Sequence, residues 1–385
     1  MDERAVLRAQ IDVLADNLKQ TENALQSPKI DYDLRERVRV RFAMLIKKQQ
    51  GALDKLCEEI KDDVALDACW DSFRYIRLGC EPLFRECLAF LHGSLVRTAG
   101  LDEGLCGIAD ALLDDLSKRT GVPWGRFTLL AEKEFFGDMA EIVRLRFPEI
   151  SIWSLPIAAH EFGHFVGPKI EVPVPGGNPR YPFQAILERE QKKDSRSWSL
   201  MHEQFADIFA TYTLGPAFAC ACILLRFDPR TAYLEGKTHP ADATRVYLIS
   251  KTMEKMSEAE GGIEPPFQII TEWLGKLWKR GLSATGRTES LDQAMTLPLD
   301  QLLDELYSLM DLEMPDARYN GWLRAKRLSQ ELWGGNKAPT LTGEETLPDV
   351  FNAAWHCRIN YGNEDRYWLR EISKKATALC REIAG

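Results

Sequence analysis

Histidines 160 and 164 can act together only if the stretch LPIAAHEFGHFVG (155–167) is helical, because residues four apart on a helix lie one above the other on one face. In that conformation both imidazoles can point at one metal ion, and Glu161, one position on, stands at the edge of the same face. From there it can reach a water held by the metal without taking a coordination position, as a general base in metal-assisted hydrolysis must. Local signals favour the helix. Ser154 is a candidate N-cap, Pro156 suits the first turn, and Gly167-Pro168 ends the segment. Ala158 and Ala159 keep one side slim enough for close packing.

A second helix, beginning near Ser197 or Ser199, carries MHEQFADIFATYTLG, which places the carboxylates of Glu203 and Asp207 four apart and facing the same way. Two imidazoles and one carboxylate, with the fourth position left for water, make a catalytic rather than a structural zinc site. Glu203 is thus the candidate third ligand beside His160 and His164. Asp207, one turn on, can accept the outer N–H of a ligating histidine, His160, and set its tautomer. His202 competes with Glu203 for the ligand role, but adjacent helical residues point about 100° apart, so both cannot serve. Choosing Glu203 is what gives Asp207 a partner.

The run His160-Glu161-Phe162-Gly163-His164 followed by Glu203-Gln204-Phe205-Ala206-Asp207 resembles the gluzincin clan of zinc peptidases, whose pattern is H-E-x-x-H and then E-x-x-x-D. The E-x-x-A-D form is most similar to the HtpX and CAAX-prenyl-processing peptidases. A third element, THPADATR (238–245), matches that family's [ST]-H-P-x4-R motif. The resemblance implies that His239 is an oxyanion partner and Arg245 a carboxylate or backbone anchor for substrate. It spans Ile142 to Ile249, and speaks to metal chemistry rather than to substrate. Relatives of this kind usually carry transmembrane helices or a secretory signal, and this sequence shows neither.

At 385 residues the chain has room for two or three domains. Its net charge of −9, with no long basic run or basic-aromatic stripe, argues against nucleic acid as the main partner. The longest apolar run, Gly215 to Leu225, is about half of what a membrane-spanning helix requires. The N-terminus, MDERAVLRAQ, has no apolar signal core, and the nine cysteines are scattered singly with no C-x-x-C pair. A cytoplasmic protein whose thiols fill the core is therefore expected.

Four regions are expected along the chain. Residues 1–65 read as a helical hairpin, with a seam at Leu7, Ile11, Leu14, Leu18 and Leu25, a break at Pro28, and a second helix from about Asp33 to Asp63. That hairpin can pack on the catalytic body, dock a protein partner or dimerise; its seam is too short for an autonomous coiled coil. Residues 66–123 continue as helices, one from Asp71 to Leu95 and one from Leu101 to Arg119 ending at Gly121-Val122-Pro123, with His92 expected as a buried or half-buried structural histidine. Residues 124–256 form the zincin-like core. Arg126 to Leu130 and Ile142 to Phe147 read as strands, the second alternating Val143, Leu145 and Phe147 with Arg144 and Arg146. Its free edge can pair with an extended substrate, or it is an ordinary edge strand with its arginines in solvent. The proline-rich, then charged, stretch 168–196 reads as a lid, rim or binding loop.

Residues 257–385 return to helices, over Phe267–Trp278, Leu299–Leu312, Tyr319–Leu332 and Trp368–Ile383, after one over Val246–Met256. Breaks are expected at Gly261-Gly262, Pro265-Pro266, Pro298, Pro315 and Gly334-Gly335. Six tryptophans in this half, and His356 beside Trp355, read as packed core. The fold class expected is mainly α (α+β), a zincin-like core with a small sheet beside the H-E-x-x-H helix, wrapped by further helices. The function expected is zinc-dependent hydrolysis of a peptide or protein substrate, by endopeptidase action. A non-catalytic metal-binding scaffold or a zinc amidase are the alternatives.

Overall fold

The computed structural model describes residues 3–61, 65–125, 127–132, 135–137, 142–259, 267–286, 291, 293–334, 339–361 and 366–385. Among these the chain is mainly helical, with fourteen α-helices and one small sheet. It divides into two compact units, one of residues 1–106 and 125–147 and the other of residues 107–124 and 148–385. These units cut across the sequence-based regions, because the strands group with the N-terminal helices.

In the first unit, α1 (Glu3–Leu25), α2 (Tyr32–Lys61) and α3 (Leu66–Thr98) pack on one another. Every seam residue of α1 is buried, and α2 buries Val38, Phe42, Ile46, Leu53 and Leu56 against it. The hairpin does not stand alone: Cys69, Phe73, Cys80, Leu83 and Phe90 of α3 complete its core. Phe90 in turn meets Phe42 and Phe127 at ring-centroid distances of 5.7 and 6.2 Å. Gly93 lets α3 approach the sheet, since a Cβ there would stand 2.9 Å from Leu129 Cβ and from Leu130 O. His92, one position earlier, is exposed rather than buried, because it falls on the outer face of α3.

The sheet corrects one expectation about the strands. Strands β1 (Thr128–Ala131), β2 (Phe135–Gly137) and β3 (Ile142–Arg146) are ordered β1-β3-β2, with β3 parallel to β1 and antiparallel to β2. β3 is therefore the central strand, paired along both sides, and has no free edge to offer an extended substrate. Nor does Arg144 stand in solvent: it is 4 % exposed and pairs with Glu86 at 2.8 Å. A guanidinium buried in this way is retained only when a carboxylate compensates it.

The second unit takes in all but the first two residues of α4 (Leu105–Thr120), which ends at Gly121 with its positive φ of 70°. Then come α5 (Ile157–Val166), α6 (Pro182–Lys193), α7 (Ser195–Leu214), α8 (Pro216–Leu225), α9 (Asp242–Ala259), α10 (Gln268–Ala284), α11 (Gln293–Glu313), α12 (Trp322–Trp333), α13 (Leu347–Tyr361) and α14 (Arg366–Ala384). α7 is the centre of this unit, touching α5, α6, α8, α9 and α11.

Several local expectations needed revision. Ser154 does not cap α5; its hydroxyl donates to Glu149 O at 2.8 Å and holds the preceding turn. α7 begins at Ser195, a little before the expected start near Ser197 or Ser199, with Asp194 capping it by accepting from Ser197 N. Pro298 lies inside α11, in its second turn, rather than breaking it. The breaks at Gly261-Gly262 and Pro265-Pro266, and Gly335 of the last pair, lie outside the described residues. Stretch 168–196 is partly ordered by an antiparallel bridge between Val172 and Arg180 and by α6. His356 is packed as expected, between Trp322 and the hydroxyl of Ser329. All nine cysteines are free, eight of them buried. No helix among the described residues is long and apolar enough to cross a membrane.

Candidate metal centre

Small residues set the site up. α5 crosses α7 with Gly163 at the contact, where a Cβ would stand 3.1 Å from Ala206 Cα and 3.1 Å from the Phe209 ring. Ala206 is equally short on the other side, so the backbones approach closely enough for imidazoles on α5 to meet a carboxylate on α7. Phe162 and Phe165 of α5 anchor the opposite face, each packed edge-on to Trp124 at 5.3 and 5.0 Å. Where α5 ends, a Cβ at Gly167 would run into the rings of Phe205 and Phe183 at 2.7 and 2.8 Å.

That crossing brings His160, His164 and Glu203 together, each offering a ligand atom within 4.8 Å of the others. His160 Nε2 lies 3.2 Å from Glu203 Oε2, and His164 Nε2 lies 3.6 Å from Glu203 Oε1. Ligands on a zinc ion at tetrahedral angles, with bonds of about 2.0–2.2 Å, stand roughly 3.3–3.6 Å apart. The donor set and its spacing therefore fit a zinc ion. The fit is supported by burial, since Glu203 Oε2 is enclosed with no aligned hydrogen-bond donor among the described residues. An anionic oxygen so enclosed calls for a cation beside it; in the metal-free fold His160, 3.2 Å away, answers that charge, and a metal ion would take over the task.

The outer nitrogens of both histidines meet partners on α7. His160 Nδ1 lies 2.9 Å from Asp207 Oδ1, as expected, though off the line that an ideal hydrogen bond prefers. His164 Nδ1 lies 2.8 Å from His202 Nδ1, a contact that helical spacing alone does not predict. His202 thus stands outside the converging group yet meets one of its members. The signal for it was present in the sequence, as the residue preceding Glu203, but its bearing depends on how α5 crosses α7.

Arg245, on α9, faces inward. Its Nε and Nη2 donate to Asp207 Oδ2 and Oδ1, both at 2.7 Å, and its guanidinium lies over the Phe227 ring at 5.0 Å. The residue expected as a substrate anchor is therefore a clamp on the carboxylate that meets His160. It also stands 3.9 Å from Glu203 Oε2. His239 is placed differently: more than half exposed, it has Nε2 3.4 Å from Glu203 Oε1 and Nδ1 2.8 Å from Thr238 Oγ1. It stands outside the cluster of converging ligand atoms, on the solvent side of Glu203. Glu161 is buried on α5, 7 % exposed.

The charges are strongly coupled. Burial disfavours a charged His160, but the carboxylates of Asp207 and Glu203 outweigh that and raise its pKa to about 10. His164 is held neutral, first by burial and then by the positive charge of His160. Burial opposes the charged form of Glu203 and of Asp207, yet His160 and Arg245 hold both carboxyls well below the usual range. The two carboxylates thus favour the protonated form of His160 in the metal-free fold.

Three expected outcomes follow from this arrangement. Zinc binding at this group near pH 7.5 should release about one proton from His160, so the apparent affinity should rise with pH through neutrality, by up to roughly tenfold per pH unit. Calorimetry in buffers of different ionisation enthalpy counts that proton, and a count near zero contradicts the assignment. The sign for stability is the reverse. A raised histidine pKa stabilises the metal-free fold fully below about 6.5, the unfolded value, and that contribution is lost as pH climbs toward 10. Removing the outer carboxylate by Asp207→Ala should weaken zinc binding about ten- to a hundredfold, read by competition with a chelator; unchanged affinity would show that Asp207 does not support His160.

No protein-family model, curated protein or solved structure matches this chain, so its likeness to the gluzincins rests on the three sequence motifs alone.

Proposed function

We propose that the chain is a zinc-dependent metallopeptidase acting on peptide or protein substrates by endopeptidase cleavage. The observation that carries the proposal is the convergence of His160, His164 and Glu203 across the α5–α7 contact. His160, His164 and Glu203 hold the ion, with Asp207 clamped by Arg245 behind His160. A zinc ion in such a site lowers the pKa of a water and polarises a carbonyl.

Within the chain, Glu161 accepts the proton of the attacking water and passes it to the departing amine. A buried position suits that task, because it limits competition from bulk solvent for the proton. His239 stands at the exposed side of Glu203, where its imidazole can donate to an oxyanion as the scissile carbonyl becomes tetrahedral. A cytoplasmic location, and a protein partner for the N-terminal hairpin, belong to the same proposal.

Metal analysis joined to proteolysis assays tests it. Purified without chelators, wild-type protein should carry near-stoichiometric zinc and cleave an unfolded protein substrate such as casein. Protein without zinc contradicts the reading; zinc without cleavage of peptide or protein favours the scaffold or amidase alternative.

A further inference from the structure

We propose that His202 is a positioning residue for this centre: by accepting the Nδ1 proton of His164, it keeps His164 Nε2 bare and aimed at the ion. The inference rests on the metal-centre reading given above and goes beyond its motif, which assigns His202 nothing.

At 2.8 Å, only one proton fits between the Nδ1 atoms of His164 and His202. If His164 is to present Nε2 toward Glu203 and the ion, that proton must belong to His164, and His202 Nδ1 must be the acceptor. The proton of His202 then sits on its own Nε2. That atom is buried and has no hydrogen-bond partner among the described residues.

The same ring is held on its faces. Trp198 stacks on it with centroids 5.0 Å apart and Phe183 of α6 lies nearly parallel at 6.2 Å, while His164 meets its edge with the two ring planes 22° apart. Packing alone does not explain a histidine in this slot. A phenylalanine would fill the stack without burying an unpartnered nitrogen, which is unfavourable. What histidine adds is the acceptor at Nδ1. α7 therefore supplies Glu203 as ligand and flanks it with one partner for each ligating histidine, Asp207 for His160 and His202 for His164. Asp207 brings charge to its histidine, whereas His202 orients its partner without adding any.

Zinc affinity of the full-length chain, measured by chelator competition, tests this together with the melting temperature of the zinc-free protein. His202→Phe keeps the stacked ring and removes the acceptor, and should bind zinc about ten- to a hundredfold more weakly than wild type. His202→Asn returns an acceptor close to the place of Nδ1 and should recover much of that loss despite poorer packing. Equal affinity for His202→Phe and wild type overturns the role of His202 and leaves the metal centre standing. An Asn variant as weak as the Phe variant overturns the acceptor role. Wild-type protein that takes up no zinc overturns both. One measurement needs no variant: with nitrogen-15 in the imidazoles of all six histidines, zinc-loaded wild type should show a coupling across one nitrogen-to-nitrogen hydrogen bond. Its absence overturns the proposal.

Discussion

Glu161→Gln should abolish peptide cleavage, lowering turnover by about a hundredfold to ten-thousandfold, while zinc content and melting temperature stay at wild-type values. The substitution keeps side-chain length and most of its hydrogen bonding but removes the basic oxygen. Glu161 stands one residue along α5 from His160 and is absent from the cluster of converging ligand atoms, so the metal should stay bound. That separation makes the experiment informative. Loss of zinc in the variant would mean that Glu161 acts as a ligand or supports the fold, and full activity would mean that another group takes the proton.

Arg245→Ala should cost the second unit about 3–5 kcal/mol of stability, the penalty for leaving a buried carboxylate without its partner. Asp207 is fully buried, and Arg245 meets both of its oxygens at 2.7 Å. Removing the guanidinium leaves His160 as the remaining contact for that charge, at 2.9 Å. Arg245→Lys should recover little, because an ammonium cannot donate in parallel to two carboxylate oxygens. Chemical denaturation of the zinc-free variants gives the measurement. A substrate anchor, the role implied by resemblance, would behave otherwise. Its loss would raise KM with stability unchanged, and that result would remove the clamp from the account.

How much of this was legible beforehand differed by element. The helices around Phe42, Leu274 and Leu328 declare themselves by apolar residues every three or four positions, and their buried faces agree. α13 does not: Val350, Phe351, Ala353, Ala354, Trp355 and Cys357 are all buried, so a helix enclosed on most sides leaves no polar stripe to reveal its period. β3 misled for a related reason. Its alternation of apolar residues with arginines suggested one wet face, whereas Glu86, from α3, neutralises Arg144 within the fold.

The side chains that converge as candidate ligands could be picked out from the chain alone because helical spacing is a local property: residues 160 and 164, and 203 and 207, share a face wherever their helices lie. Which side chains meet the outer nitrogens is not local. Arg245 comes from α9, thirty-eight residues beyond Asp207, and His202 reaches His164 across another gap of thirty-eight. Only the packing of α5 and α9 on α7, made close at the α5 contact by Gly163 and Ala206, decided that Arg245 faces a carboxylate inside and that His202 faces a histidine.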